Sequence, residues 1–234
     1  MPAICRLTII AAALIGVLTH WPASGEDAPR APRIDIGLSQ QNLKQIGYAF
    51  HYFHDAARSC PIDLVTADGK PLLSWRVVIL PYVGEEDLYK QFKLNEPWDS
   101  VHNKKLIPKI PRIYAPIRVK AKEGETFYQV FTGEKAPFVP GKLLRIPQGF
   151  PDGTSNTGLV FEAGEPVIWT RPADLPFDEL KSLPKLGGMF GGECNVVLCD
   201  GTVQRLKKGA DEQQLKLLIM PDDGQPLAGN IFVE

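Results

Sequence analysis

The sequence carries almost no surplus charge of either sign: 26 Lys and Arg stand against 27 Asp and Glu, and the formal net charge is -1. A protein that grips a nucleic-acid backbone or an anionic membrane surface needs a basic field to do so. This composition supplies none. We therefore expect no nucleic-acid partner and no electrostatic attachment to a membrane.

Long hydrophobic runs are equally rare, because only residues 7–18 form an unbroken one. The run follows a basic residue, Arg6, and precedes small residues at Ala23 and Gly25, which is the layout of a secretory signal. It is shorter than the roughly 20 residues that span a bilayer. The sequence predicts a cleaved signal at residues 1–25, an extracytoplasmic location and no stable membrane span afterwards, with an uncleaved anchor as the alternative.

Cysteine is scarce, and no pair has the C-x-x-C spacing of structural zinc sites. Cys60, Cys194 and Cys199 remain once the signal is removed. On one strand, Cys194 and Cys199 would lie about 16 Å apart and face opposite sides, so they cannot bridge. We expect either a single disulfide from Cys60 to one of them or three small buried thiols.

Common catalytic motifs are also missing. The sequence has no G-x-S-x-G and no glycine-rich phosphate loop after a strand, and Cys60 has no histidine beside it. These absences predict a protein that is not an enzyme, with no catalytic residues and no cofactor.

Proline, by contrast, is abundant, with 21 residues or about 9% against a usual share of roughly 5%. Elements should therefore be short. From Ser39 onward, apolar residues recur at three- and four-residue steps and predict one amphipathic helix, with a core-facing stripe of Leu43, Ile46, Phe50, Phe53 and Ala57. Strands are predicted at 72–80, 112–115, 126–131, 157–162, 166–170, 193–199 and 202–206, and further helices at 85–92, 100–107 and 211–220.

This order of elements predicts an α+β fold, in which the N-terminal amphipathic helix packs on an antiparallel sheet and short helices are inserted. Residues 26–38 mix Pro, Ala and charge, which indicates a flexible lead-in. The predicted plan is a signal at 1–25, the lead-in at 26–38 and a single domain at 39–234.

Asp-Gly pairs recur at 68–69, 152–153 and 200–201. Such a pair between strand-like runs predicts a hairpin with a type I′ turn, because both central residues then need positive φ. The alternative is ion binding, for which Asp152, Asn156 and Asp200 are weak candidates with hard oxygen ligands. We expect the turn role to be the main one.

Two further groups have both a structural and a binding interpretation. His51, His54 and Asp55 lie within about one helical turn and could hold a metal, although they could equally border the core and solvent. Tryptophans at 75, 98 and 169 could stack on a sugar, but their apolar flanks favour the core.

Six segments in order resemble the domain of unknown function 1559, a paralogous family of planctomycete bacteria also labelled a solute-binding family. They are NLKQIGYAFHYFHDA (42–56), LSWRVVILPYV (73–83), LYKQFKLNEPWDSVHNKKLI (88–107), PDGTSNTGLVFEA (151–163), VIWTRPADL (167–175) and NVVLCDGTVQRL (195–206). The resemblance implies a head domain similar to those of type IV pilins and pseudopilins. In typical family members the head domain ends with a histidine, nine further residues and an Asp-Gly pair. Here Phe190 stands at the histidine position, and the spacing to Asp200-Gly201 is kept.

A secretory signal replaces the prepilin segment of typical members, so the resemblance implies a pilin-like head released as a soluble protein. We expect an exported, non-enzymatic domain that acts in surface structure or in interaction with a protein or cell-surface partner. The alternative is an extracytoplasmic module that binds a small ligand or calcium.

Overall fold

The long N-terminal helix is confirmed. The computed structural model describes residues 32–227 and 231–233, and helix α1 spans Pro32–Ala57. It begins inside the segment 26–38 that the sequence predicts to be a flexible lead-in. Proline is tolerated in a first helical turn, and Asp35 adds a carboxylate at the positive end of the helix dipole. The predicted signal at 1–25 lies outside the described residues.

The predicted α+β fold is confirmed, and its centre is a four-stranded antiparallel sheet in the order β3-β5-β7-β8. The strands are Glu125–Gln129 (β3), Gly158–Ile168 (β5), Cys194–Leu198 (β7) and Val203–Leu206 (β8). Helix α1 lies on β5, β7 and β8. Among the described helices, none is both long and apolar enough to cross a membrane.

The sheet is buried on both faces, and neighbouring residues of β7 show this. Val197 packs in the same cluster as Leu43, Ile46 and Phe50 of α1. Val196 faces the other way, into a second cluster with the last helix, α4 (Glu212–Ile219). Every residue of β7 is buried, because side chains alternate across the sheet and each face is covered by a helix.

The predicted strand at 72–80 is wrong for most of its length. Only Pro71–Leu73 (β2) is extended, and it pairs with Leu64–Val65 (β1) in a small antiparallel sheet. A helical turn, Trp75–Val78 (α2), follows. Ser74 caps this turn by accepting a 3.3 Å hydrogen bond from the Arg76 N–H. Capping and tertiary contacts therefore override the β-branched composition.

Other boundaries also differ. The strands predicted at 157–162 and 166–170 are one strand, β5, and residues 112–115 form a turn. The helix predicted at 85–92 shortens to Glu86–Tyr89 (α3). In place of the helix predicted at 100–107, the structure has a 3-10 helix, Asn103–Lys109, which continues through Pro108 instead of ending before it. Phe131–Thr132 (β4) pairs in parallel with Leu175–Pro176 (β6), a pairing that the sequence did not predict.

Two Asp-Gly pairs form hairpin turns, but the turns are not type I′. In the β7–β8 hairpin the Gly201 N–H donates to the Leu198 carbonyl at 2.9 Å, and only Gly201 of the pair has positive φ, at 86°. The β1–β2 hairpin repeats the arrangement with Gly69. Both are three-residue loops that place glycine in the left-handed region. Asp152-Gly153 is not a hairpin, since no strand directly precedes it.

Candidate binding site

A buried arginine organises the most unusual polar cluster of the described chain. Arg76 of α2 is fully buried, and its guanidinium lies 4.6 Å from the centre of the Trp75 ring. It donates to the Tyr128 carbonyl at 2.8 Å, to Ser74 Oγ at 2.7 Å and to Asp174 Oδ1 at 2.6 Å. A charge removed from water needs such partners to be tolerated.

Asp174, which immediately precedes β6, is the counter-ion of Arg76, and its side chain is 1% exposed. Its Oδ1 also accepts the Val130 N–H at 2.9 Å and the Trp75 Nε1–H at 3.3 Å. Burial raises the pKa of Asp174, and the charge of Arg76 opposes that effect. Within the described part of the chain, Asp174 Oδ2 is buried without a hydrogen-bond partner.

A second carboxyl group, that of Asp63, lies close enough to Asp174 and Arg76 to be affected by their charges and is partly exposed. Its Oδ1 accepts the Trp75 N–H at 2.7 Å and so helps to begin α2. Burial and the neighbouring charge of Asp174 raise the pKa of Asp63 to about 7. The cluster therefore has one cation for two carboxyl groups.

Asp63 opens into a pocket of about 150 Å³. Its walls are mainly apolar and include Ile62, Val65, Trp75, Val130, Phe138 and Val139. An engineered protein cavity of about this volume accepts benzene. Small-molecule sites combine apolar walls with a few placed polar groups, and a shifted pKa in such a pocket marks a candidate site.

The family model described as Protein of unknown function (DUF1559) matches residues 38–138. Over these residues the chain is therefore similar to the DUF1559 family. The match covers α1 from residue 38 onward, Asp63 and the Arg76 turn, whereas Asp174 lies beyond its end. Comparison with curated proteins and with solved structures gives no match. The planctomycete origin and the pilin-like character stay predictions.

A second buried acid, Glu162 of β5, lies between α1 and the sheet and is 0% exposed. The Asn195 N–H donates to its Oε2 at 2.7 Å and the Asn195 amide to its Oε1 at 3.0 Å. Ser39 of α1 also donates to Oε1 and contacts the Tyr128 hydroxyl at 2.7 Å. Burial raises the pKa of Glu162 to about 7. This network joins α1 to the sheet and is closed to a ligand.

The ion-binding candidates all have hydrogen-bond partners within the protein. Asp200 is exposed at the hairpin tip, where its Oδ1 accepts the Thr202 N–H at 2.8 Å and the Thr202 hydroxyl at 2.7 Å. The Asp152 carboxylate accepts the N–H of Asp223 at 2.7 Å and that of Gly224 at 3.1 Å. The Asn156 amide donates to the Asp152 carbonyl at 2.7 Å.

The contacts of Asp200 favour the turn role, whereas the Asp152 carboxylate joins its loop to residues 223–224. Calcium binding at either residue stays a prediction. The residues that the structure describes contain no group of three His, Cys, Asp or Glu able to hold a metal.

The two histidines of the α1 cluster contact different parts of the structure. His54 Nε2 accepts the Ile146 N–H at 3.1 Å, while its Nδ1 lies 3.9 Å from Asp55. His51 instead faces the β7–β8 turn, where a Cβ added to Gly201 would lie 3.8 Å from its Nε2. Their separate surroundings favour a packing role.

The remaining predicted groups lie mostly in the core. Trp75 and Trp169 are 1% and 0% exposed, as the core interpretation expects, while Trp98 is half-buried. The cysteines at 60, 194 and 199 are buried free thiols. Phe190, at the family's histidine position, is half-buried in the loop before β7 and packs against the α1-side core.

Sequence reasoning missed Asp63, Asp174 and Arg76. The one available signal was Arg76 itself, a charge inside the apolar run LLSWRVVIL, because a buried guanidinium requires a buried acceptor. Its partner lies 98 positions away, so local spacing could not identify it.

Proposed function

We propose that this chain is an exported, non-enzymatic, pilin-like domain of the DUF1559 family that binds a small ligand in the pocket beside Asp63. The observation that carries the proposal is the pocket itself, with apolar walls of benzene-sized capacity and one carboxyl group at its edge. The export and pilin-like parts rest on the signal-like N-terminus and on the ordered segments described above.

The contacts around the pocket support binding more than catalysis. Arg76 directs its guanidinium to a carbonyl, a hydroxyl and a carboxylate of the protein itself. Asp174 Oδ1 is already surrounded by three donors. These groups hold the wall of the pocket in place, and Asp63 is the acidic side chain left to meet a ligand.

Titration with toluene, followed by ligand-observed NMR, tests the site. Val65 lines the pocket and is 52% exposed, so a larger side chain there can close the pocket without entering the core. We expect Val65→Trp to abolish toluene binding. The control is Val101→Trp, at a position 84% exposed and away from the pocket walls, which should bind like the parent. Absence of binding to the parent, or equal binding by both variants, would refute the site.

Export has its own test. The protein should be recovered from the extracytoplasmic fraction of its native host, and mass spectrometry of it should show an N-terminus that begins after residue 25. Recovery of a chain that still contains residues 1–25 would contradict cleavage and would favour the anchored alternative.

Interaction with a protein partner remains a second candidate, because the outer side of α1 presents aromatic surface. Tyr48 and Tyr52 lie one helical turn apart and are 47% and 61% exposed. An open groove beside Tyr48 runs to Asp200 of the β7–β8 turn. Tyrosine is enriched at protein interfaces. A photo-crosslinking phenylalanine analogue at Tyr52 should capture one discrete protein in the native host, and the same analogue at Val101 should not.

A further inference from the structure

The charges around the pocket do not balance when both carboxyl groups are ionised. Arg76 gives its Nη2–H to Asp174, and its other described donors go to Ser74 and to the Tyr128 carbonyl. Asp63 receives one hydrogen bond in the described structure, from the Trp75 N–H. Ionised Asp63 therefore leaves one negative charge at the edge of an apolar space.

The shape of the pocket specifies what could neutralise that charge. Its capacity suits one ring or a short branched chain, and its walls include the aromatic side chains of Trp75 and Phe138. Aromatic faces attract cations in addition to apolar groups. A hydrated metal ion would find one carboxylate and few other oxygens, whereas hard cations take six or more oxygen ligands.

We propose that the pocket binds a small organic ammonium ion, in which a primary amine carried on a benzene-sized apolar group places its charge at Asp63. This inference rests on the proposed small-ligand function and adds the chemical class of the ligand. The ammonium N–H groups donate to the Asp63 carboxylate while the apolar group fills the space between the aromatic walls.

Proton release by Asp63 should accompany binding. The charged groups that act on Asp63 are Asp174, which raises its pKa, and Arg76, which lowers it, and the pocket-wall segments around 62–65, 130–132 and 138–141 contribute no other charged side chain. With a pKa of about 7, Asp63 is about one-tenth ionised at pH 6 and about nine-tenths at pH 8. An alkylammonium stays charged over this range, as lysine does. Affinity should therefore rise about tenfold from pH 6 to pH 8.

The test compares benzylammonium with benzyl alcohol by calorimetric titration of the full chain. The two probes have nearly the same shape and differ in charge. We expect benzylammonium to bind about tenfold or more tightly at pH 8, because hydrogen bonds to charged groups are the stronger ones. Benzyl alcohol should show no comparable pH dependence.

Asp63→Asn assigns the charge preference to this carboxyl. An asparagine oxygen can still accept the Trp75 N–H, so the turn at α2 is kept. The variant should bind both probes about equally and lose the pH dependence. Asp55→Asn, at a carboxylate 79% exposed on α1, is the control and should behave like the parent.

Equal binding of the two probes by the parent would overturn the ligand class and leave the pocket function standing. Binding of neither probe would overturn both. An amine preference that survives in Asp63→Asn would show that another group reads the charge and would also overturn the assignment.

Discussion

Replacement of Glu162 by glutamine should remove a large part of the pH dependence of stability. Burial raises the pKa of Glu162 from the ordinary value of 4.5 to about 7, so the folded chain keeps this proton where the unfolded chain has released it. Its contribution is therefore complete below pH about 4.5 and is lost as the pH rises through about 7. The loss amounts to about 3 kcal/mol in all, at about 1.4 kcal/mol per unit of pKa shift.

The surroundings of Glu162 allow this substitution without a cavity. The single side-chain oxygen of glutamine can accept the Asn195 N–H, as Glu162 Oε2 does. The new amide meets the two groups that donate to Glu162 Oε1, Ser39 Oγ and the Asn195 amide, and needs acceptors in their place. The Ser39 hydroxyl can rotate to accept. Among the residues that the structure describes, Asn195 Oδ1 has no hydrogen-bond partner, and rotation of the Asn195 amide would present this oxygen to the glutamine. After the same rotation, the Asn195 oxygen could also accept a hydrogen bond from the protonated Glu162 carboxyl group.

The assay is urea denaturation of both proteins at several pH values between about 5 and 8. The stability of Glu162→Gln relative to the parent should increase by about 2.5 kcal/mol across this interval. Asp63 also titrates here but is present in both proteins, so its effect cancels. Glu165→Gln, at an exposed position on the same strand, should leave the parent's curve unchanged. A difference between Glu162→Gln and the parent that is the same at every pH would refute the reasoning.

Three further substitutions test the turns and the helix packing. Gly187 has a φ of 71°, and a Cβ there would lie 2.3 Å from a backbone oxygen. Gly187→Ala should therefore lower the free energy of unfolding, measured by urea denaturation, by about 2–4 kcal/mol. Gly209 has a similar φ but open space around it, so Gly209→Ala should lower it by only about 1–2 kcal/mol. Asp200→Ala should lower stability by about 1 kcal/mol and Asp200→Asn by much less, because asparagine keeps the acceptor of the turn; equal losses would contradict the turn role. Phe50 is fully buried, and Phe50→Ala should lower stability by about 3–5 kcal/mol, whereas Tyr52→Ala on the exposed side should change it by less than about 0.5 kcal/mol; the reverse order would mean that α1 is docked by its other face.

The parts of the fold that could be predicted are those specified by short-range patterns. The stripe Leu43, Ile46 and Phe50 located the buried face of α1, because a helix repeats every 3.6 residues. Asp200-Gly201 located the β7–β8 hairpin, because glycine tolerates positive φ. The same pattern predicted that Ala57 faces the core, but Ala57 is exposed at the end of the helix.

The parts that could not be predicted depend on distant partners. Residues 72–80 have the composition of a strand, yet the Trp75 N–H finds the carboxylate of Asp63, 12 positions away. The chain therefore turns at Ser74 and starts α2. Burial of Arg76 further requires Asp174, and nothing local marks either acid as its neighbour. The periodicity of apolar residues gives no information on contacts between side chains that are far apart in the sequence.

The two acids with a pKa of about 7 show why location decides which can serve a ligand. Glu162 is enclosed between α1 and the sheet, where Ser39 and Asn195 already occupy its oxygens. No ligand can reach Glu162 to replace its proton, so its titration is expected to change the stability of the fold and not ligand affinity. Asp63 has a similar pKa but adjoins an apolar pocket and the Arg76 pair. There a bound cation can replace the proton, so a change in pH becomes a change in affinity.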